Sequence, residues 1–328
     1  MTETVLITGA AGYVGSSLVP HVLDEGYRVK GLDLMLFGDH GLMKERDRCE
    51  IISGDLRNNS LVERCLEGVD HVIHLAAISN DPMGNMNPLL TEQVNLTATE
   101  TLVKLARKQG VKRFIYASSS SVYGIKNDPE VTEDLPLAPL TVYSRTKAES
   151  EKGVLAEASS EFIPVCIRPA TICGYSPRLR LDVIVNIFAH QAITARQIKV
   201  NGGSQTRPNV HMDDMVDLYS QLLVAPANVI RGQVYNFGGY NHSALELANI
   251  TKQVVGDDVI ITQLPPTADS RSYSISSKKI LKALGISPKK SISDAVTDLK
   301  TAFEDGRVPN PQDSHYYNIK RMRELDLK

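Results

Sequence analysis

Cysteine is scarce in this chain and never paired at short spacing. The four, Cys49, Cys65, Cys166 and Cys173, form no Cys-x-x-Cys motif, so no metal knuckle and no metal site is expected. Cys166 lies inside an apolar run and is expected to pack as a small hydrophobe. A reduced, cytoplasmic setting follows as the simplest expectation. No apolar run is long enough to span a bilayer, which excludes a membrane-spanning helix. The opening Met1-Thr2-Glu3-Thr4 lacks the basic and then apolar regions of a secretion signal. Excess charge of one sign is missing too. A formal net charge of -2 and a pI near 6.5 provide no electrostatic case for nucleic acid as the main partner. Repeats and low-complexity linkers are also absent. The 42% hydrophobic content over 328 residues is a globular value, sufficient for a large core or two unequal domains.

Short β-branched runs alternate with helical patterns through the first half. Val5–Thr8, Tyr27–Leu32, Glu50–Ile52, His71–Leu75, Phe114–Ala117 and Pro164–Arg168 read as strands. Val14, Leu18 and Val22 recur at helical spacing, and Leu89 to Lys108 reads as one long helix. This alternation predicts an α/β class: a doubly wound parallel sheet with helices on both faces. The second half is less regular. Val234–Phe237 reads as a further strand, Ser276–Leu284 as a helix stopped by Gly285, and the polar stretch from Gly306 as a loosely packed extension. We place a dinucleotide-binding domain at 1–175 and a smaller substrate-binding domain at 176–328, with 208–240 returning to the main sheet.

The first strand runs straight into Gly9-Ala10-Ala11-Gly12-Tyr13-Val14-Gly15 and then a helix. Gly9 suits a tight turn, Gly12 removes a Cβ where a pyrophosphate must approach, and Gly15 lets the helix pack closely on the strand. The helix N-terminus, around Tyr13 and Val14, offers free N–H groups and a partial positive charge to phosphates. Asp33 follows the second strand. A carboxylate there accepts hydrogen bonds from ribose hydroxyls and repels a 2′-phosphate, so NAD is favoured over NADP.

Further along, Ser118-Ser119-Ser120-Ser121-Val122-Tyr123-Gly124 ends the fifth strand, and Tyr143-Ser144-Arg145-Thr146-Lys147 follows. Residues four apart on a helix share a face. A lysine ammonium beside the Tyr143 phenol favours the phenolate, which predicts a base working nearer neutrality than a free phenol.

Taken together, these segments resemble the extended short-chain dehydrogenase/reductase family, the NAD-dependent, UDP-glucose 4-epimerase-like branch, from about Val5 to about Leu284. The resemblance implies a Rossmann fold and NAD as cofactor. It implies that Asp55-Leu56 contacts adenine, that Leu75-Ala76-Ala77, Ala117 and Pro169 border the cofactor, and that Asn95 belongs to the same site. Tyr143 then serves as general acid/base, Lys147 as its electrostatic partner and ribose contact, and Ser119 as the hydroxyl that steadies the substrate oxygen. Ser120 joins it as a substrate contact. Arg207 matches an arginine that grips a substrate phosphate, and Arg271 lies near the position of a second. Arg178 and Arg180 sit on a substrate loop, where they read either as diphosphate contacts or as solvated surface arginines. The segment Val210–Asp214 resembles a structural tie. A homodimer packed through the long helix and the tyrosine helix is also implied, with Leu102, Leu105 and Leu155 as contributors or as core.

The resemblance narrows the chemistry to nucleotide sugars. Related 4,6-dehydratases carry acidic residues just after the orienting serine or threonine; here Ser120 and Ser121 stand there, which disfavours dehydration. The visible residues suffice for 4-epimerisation through a transient 4-keto sugar. They also suffice for a C4 dehydrogenase or reductase that releases its product. An NAD-sensing protein without chemistry and a reductase for another small carbonyl are the remaining readings.

Overall fold

The computed structural model describes residues 2–126, 128–266 and 272–327. Among the described residues, twelve strands form three sheets. The main sheet contains β1 (Thr4–Thr8), β2 (Arg28–Asp33), β3 (Glu50–Ser53), β4 (His71–His74), β5 (Arg113–Ala117), β6 (Ile163–Pro169) and β10 (Gln233–Phe237). Between β6 and β10 come β7 (Thr171–Cys173), β8 (Gln197–Asn201) and β9 (Thr206–His211), followed after β10 by β11 (Tyr240–Ser243) and β12 (Ile260–Leu264).

The main sheet runs β10-β6-β5-β4-β1-β2-β3, and every neighbouring pair in it is parallel. This is the doubly wound order expected from the alternating pattern, with β10 added at the edge. Strand β1 lies between β2 and β4 and is buried along its whole length. That is why Thr4–Thr8 reads as continuous hydrophobicity rather than alternation. The apolar faces meet in two large clusters, and Cys166 is fully buried in one of them.

β7, β9 and β11 form a small mixed sheet, and β8 pairs with β12. The helices Ile184–Ala195, Ala244–Val255 and Ile292–Glu304 pack against one another beside them. The second half is therefore as regular as the first. Its strands are short and widely separated in sequence, so their pairing leaves little periodic trace.

Two further features depart from expectation. The long helix spans Pro88–Lys108, but Gln93–Thr97 is a π-helical turn within it. Asn95 sits in that turn, a type of irregularity that re-aims a side chain. The stretch after Gly306 is not a loose extension either. Tyr316, Asn318 and Met322 are buried, and the helix Asn318–Glu324 packs on Ile78 and Met83.

No helix among the described residues is long and apolar enough to cross a membrane.

Candidate active site

The carboxyl ends of β1, β2, β4, β5 and β6 open on one cleft of about 580 Å³, a size typical of ligand sites. Doubly wound sheets bind their ligands at this edge. Gly9, Gly12, Tyr13, Val14, Gly15, Asp33, Asp55, Leu56, Leu75, Ala76, Ala77, Ala117 and Pro169 all line it. Ser119, Ser120, Tyr143, Lys147, Arg178, Arg180 and Arg207 line it as well. Arg271 lies outside the described residues.

The glycine turn is shaped by backbone proximity. Gly9 has φ +73°, and a Cβ there would stand 2.7 Å from the Ala76 backbone nitrogen. A Cβ on Gly15 would stand 2.2 Å from the Gly9 carbonyl oxygen, so the helix Gly15–Asp24 can approach β1 only without one. The Tyr13 side chain turns away from the cleft: its hydroxyl donates to the Gly174 carbonyl at 2.7 Å. Asp33 accepts from the Met35 N–H at 2.7 Å and the Ala11 N–H at 3.0 Å. Burial raises its carboxyl pKa against the pull of those amides.

Asn95 is the exception among the expected cofactor residues. It is buried behind the cleft wall, where its amide exchanges both hydrogen bonds with the Ile78 backbone at 2.8 and 3.0 Å. A weaker contact reaches the Thr146 hydroxyl at 3.4 Å. Asn95 thus braces the segment after β4 against the tyrosine helix and does not line the cleft.

That helix, Val142–Ala156, starts at a capping box in which Thr141 and Ser144 satisfy each other's backbone N–H groups. It presents Tyr143 and Lys147 to the cleft from successive turns. Lys147 donates to the Ala117 carbonyl at 2.7 Å, and its ammonium stands 4.9 Å from the Tyr116 ring centroid. Burial pushes its pKa down to about 7, against the charge of Glu151. Burial pushes the Tyr143 phenol up to about 12, against a hydrogen bond with Ser119 and the Arg180 charge. The lowering expected from spacing alone is therefore reversed in the protein by itself: desolvation outweighs the nearby donors.

Ser119 shares a 2.9 Å hydrogen bond with the Ser121 hydroxyl, and Ser120 reaches the Tyr273 hydroxyl at 3.3 Å. Neither position carries a carboxylate. The carboxylates that do line the cleft are engaged within the protein: Asp33 with the Met35 and Ala11 N–H groups, Asp182 with Arg180 at 2.8 Å, Asp55 with Arg57 at 2.6 Å, and Asp81 with the Thr141 hydroxyl.

Beneath the site lies a buried ion pair. Arg168 donates from Nε and Nη2 to the two oxygens of Glu151 at 2.9 and 2.7 Å, and the Ser118 hydroxyl donates to the same carboxylate. Arg168 Nη1 also reaches the Tyr123 hydroxyl at 2.8 Å. Burial works against the Arg168 charge, yet the Glu151 bonds carry its pKa above the ordinary value. His211 caps the helix Met212–Val224, and Asp214 accepts the Lys289 and Lys290 N–H groups at 2.8 and 3.0 Å. That segment is a structural tie.

Sequence reasoning missed Tyr273, Phe37 and the C-terminal helix, which supplies Asn318, Ile319 and Met322 to the cleft wall. The spacing Tyr316, Ile319, Met322 was a signal, since apolar residues three apart share a helix face. Arg178 and Arg180 are not surface arginines; both are buried.

Three observations fit a dinucleotide here: the close-packed glycine turn, a carboxylate ending β2, and a buried arginine whose Nε has no hydrogen-bond partner.

Residues 5–238 match the family described as the NAD dependent epimerase/dehydratase family. The UDP-glucose 4-epimerase of Lactobacillus helveticus is 28% identical over 307 residues, 87% of this chain and 92% of that protein. A dTDP-glucose 4,6-dehydratase of Streptomyces griseus is 28% identical over 310 residues, 90% and 92% of the two chains. The solved structure of the UDP-glucuronic acid 4-epimerase from Bacillus cereus, in complex with UDP-glucuronic acid and NAD, is similar with a TM-score of 0.82. It is 26% identical and covers 92% of this chain and 99% of that one.

Proposed function

We propose, from the premise that this chain belongs to the NAD-dependent epimerase/dehydratase family, that it epimerises a nucleotide sugar at C4 through a transient 4-keto intermediate. The observation that carries this reading is the convergence of Ser119, Tyr143 and Lys147 on one cleft, with serine at both positions after Ser119.

NAD, which the glycine turn, Asp33 and the strand ends lining the cleft would hold, would supply a hydride acceptor and donor for C4 and, when oxidised, a positive charge. The chain's own residues manage the proton. The Tyr143 oxygen takes the C4 hydroxyl proton and gives it back, so it must pass through the phenolate. Burial opposes that form, while the Ser119 hydroxyl and the Arg180 charge favour it. Ser119 also holds the substrate oxygen in line. Lys147, fixed on the Ala117 carbonyl, places a proton donor for the ribose, and its charge is kept near neutral pH by Glu151 against the pull of burial. Arg180 and Arg207 line the cleft as cations for the substrate diphosphate. Asp33 selects NAD over NADP.

Dehydration needs an acid to protonate the leaving C6 hydroxyl. Ser120 and Ser121, the two positions after Ser119, cannot serve. A C4 dehydrogenase would use the same residues and differ only in releasing the ketone.

Tyr143→Phe, assayed beside the parent on a panel of UDP- and dTDP-hexoses, tests the assignment. Loss of turnover by at least about a hundredfold is expected for removal of the acid/base. A mutant that matches the parent on a true substrate would remove Tyr143 from the role.

The protein is also proposed to be a cytoplasmic homodimer. Its four cysteines are free thiols, which supports a reducing compartment. The helices Ala98–Lys108 and Val142–Ala156 pack side by side. Leu105 and Leu155 are only partly buried there, whereas Leu102 is core and unavailable to a partner.

A further inference from the structure

The C-terminal helix, and the arginine it touches, have no role in the chemistry above. Arg178 is 1% exposed and lines the cleft. Its guanidinium stacks 3.7 Å from the Phe37 ring centroid, and Nη2 donates to the Asn318 Oδ1 at 2.5 Å. Its Nε has no hydrogen-bond partner. No carboxylate pairs with this guanidinium among the described residues. Burial and the neighbouring Arg180 charge push its pKa down to about 9. A buried cation without a directly bonded anion is costly, and the fold keeps one here, with Asp182 and Asp33 acting on its charge only from a distance.

Its location says which anion would be served. The Arg178 N–H donates to the Ser16 hydroxyl at 3.0 Å, in the first turn of the helix after the glycine turn. Ser176, two residues earlier, donates to the Tyr13 carbonyl at 2.6 Å and meets Ser16 at 2.8 Å. This loop is therefore pinned to the end of the cleft where the helix Gly15–Asp24 begins. Arg180, two residues on, acts instead on Tyr143.

Asn318 ties the arrangement shut. Its N–H donates to Asp182 at 2.9 Å and its side-chain amide to the Ser79 hydroxyl at 3.0 Å. From the same helix, Arg321 donates to the Leu36 carbonyl at 2.8 Å, and Met322 is buried against Ile78 and Met83. One short helix thus bridges the loops after β2, β4 and β7 across the cleft.

The geometry points to Arg178 as a binding residue for the diphosphate of the dinucleotide, aimed by Asn318, with the helix Asn318–Glu324 as the strap that slows the dinucleotide's release. This rests on the dinucleotide reading of the cleft. A planar guanidinium with a free Nε suits a diphosphate, and a mutually braced pair loses little freedom on binding it. Removing Asn318 loosens both the arginine and the strap.

Calorimetric titration of the full chain, stripped of nucleotide, with adenosine, ADP and UDP separates the possibilities. Arg178→Met is expected to weaken ADP about tenfold or more while adenosine and UDP change less than about twofold, because only a charge-assisted contact to the diphosphate is lost. Asn318→Ala leaves the guanidinium in place and keeps the test open if Arg178→Met does not fold. It is expected to weaken ADP about threefold to tenfold and to speed displacement of bound NAD by a similar factor. ADP affinity unchanged in both variants overturns the proposal. So does loss confined to UDP, which would assign Arg178 to the nucleotide sugar, or equal loss for adenosine and ADP, which would make it scaffolding. If the parent binds neither adenosine nor ADP, the dinucleotide reading itself falls, and this proposal with it.

Discussion

Replacing Glu151 by Gln is the sharpest perturbation of the support beneath the site. The side chain keeps its length and one acceptor oxygen but loses its charge. Arg168, whose side chain is 6% exposed, would then keep a buried positive charge facing only an amide and the Tyr123 hydroxyl. Breaking a buried pair by removing one partner costs about 3–5 kcal/mol. That is a large fraction of the roughly 5–15 kcal/mol that holds a domain folded. Urea unfolding of the parent and Glu151→Gln, with the slope held in common, reads this cost directly. A second effect runs through Lys147. Burial pushes that ammonium down to about 7, and the Glu151 charge is what resists the fall. Without it Lys147 loses its proton at lower pH, so the alkaline limb of the activity profile moves towards acid. The double replacement Glu151→Leu with Arg168→Met removes both charges and is expected to recover most of the stability but not the pH profile. An unchanged urea midpoint together with an unmoved alkaline limb would refute the reasoning.

Three other outcomes follow from the same structure. Gly15→Ala places a Cβ 2.2 Å from a backbone carbonyl, whereas Gly68, at φ +68°, has nothing within 4 Å of its would-be Cβ. The first should cost about 3 kcal/mol, the upper end of overpacking, and the second only about 1–2 kcal/mol of backbone strain, as read from thermal or urea unfolding. Lys147 is depressed in the folded chain relative to the unfolded one, so the parent gains stability as pH rises from 7 towards 10.5. Relative to Lys147→Met, whose position cannot titrate, the nucleotide-free parent should gain at most about 2–3 kcal/mol between pH 7 and 9. A difference that is flat or falls with pH would show that Lys147 stays fully charged in the fold.

Legibility of the sequence followed how local each constraint is. The glycine turn, Asp33 and the Tyr143–Lys147 spacing are set by neighbours within one strand, turn or helix, so their residue types mark them. The parallel order of the main sheet follows from alternation and handedness alone. What could not be read depends on distant partners. Asn95 matches a cofactor position, but the π-helical turn aims it at the Ile78 backbone behind the cleft. Arg178 reads as a loop cation, and only the approach of Phe37 and Asn318, far away in sequence on both sides, buries it. The C-terminal stretch looks polar because only a few apolar residues, Ile319 and Met322 among them, anchor it, and their partners lie more than 200 residues earlier. The direction of the Tyr143 shift was also out of reach. Spacing shows that a cation is near, but it does not show how much water has been removed.

In the proposed reaction, C4 chemistry returns the sugar to its starting oxidation state inside the cleft. The most direct measurement is turnover of a panel of UDP- and dTDP-hexoses in deuterated water, followed by mass spectrometry and proton NMR of the nucleotide sugar. Epimerisation in place predicts a product of unchanged mass, inverted at C4, with the original hydrogen retained there and no solvent deuterium. A product that has lost water and carries deuterium, or a released 4-keto sugar with reduced cofactor accumulating, would contradict it.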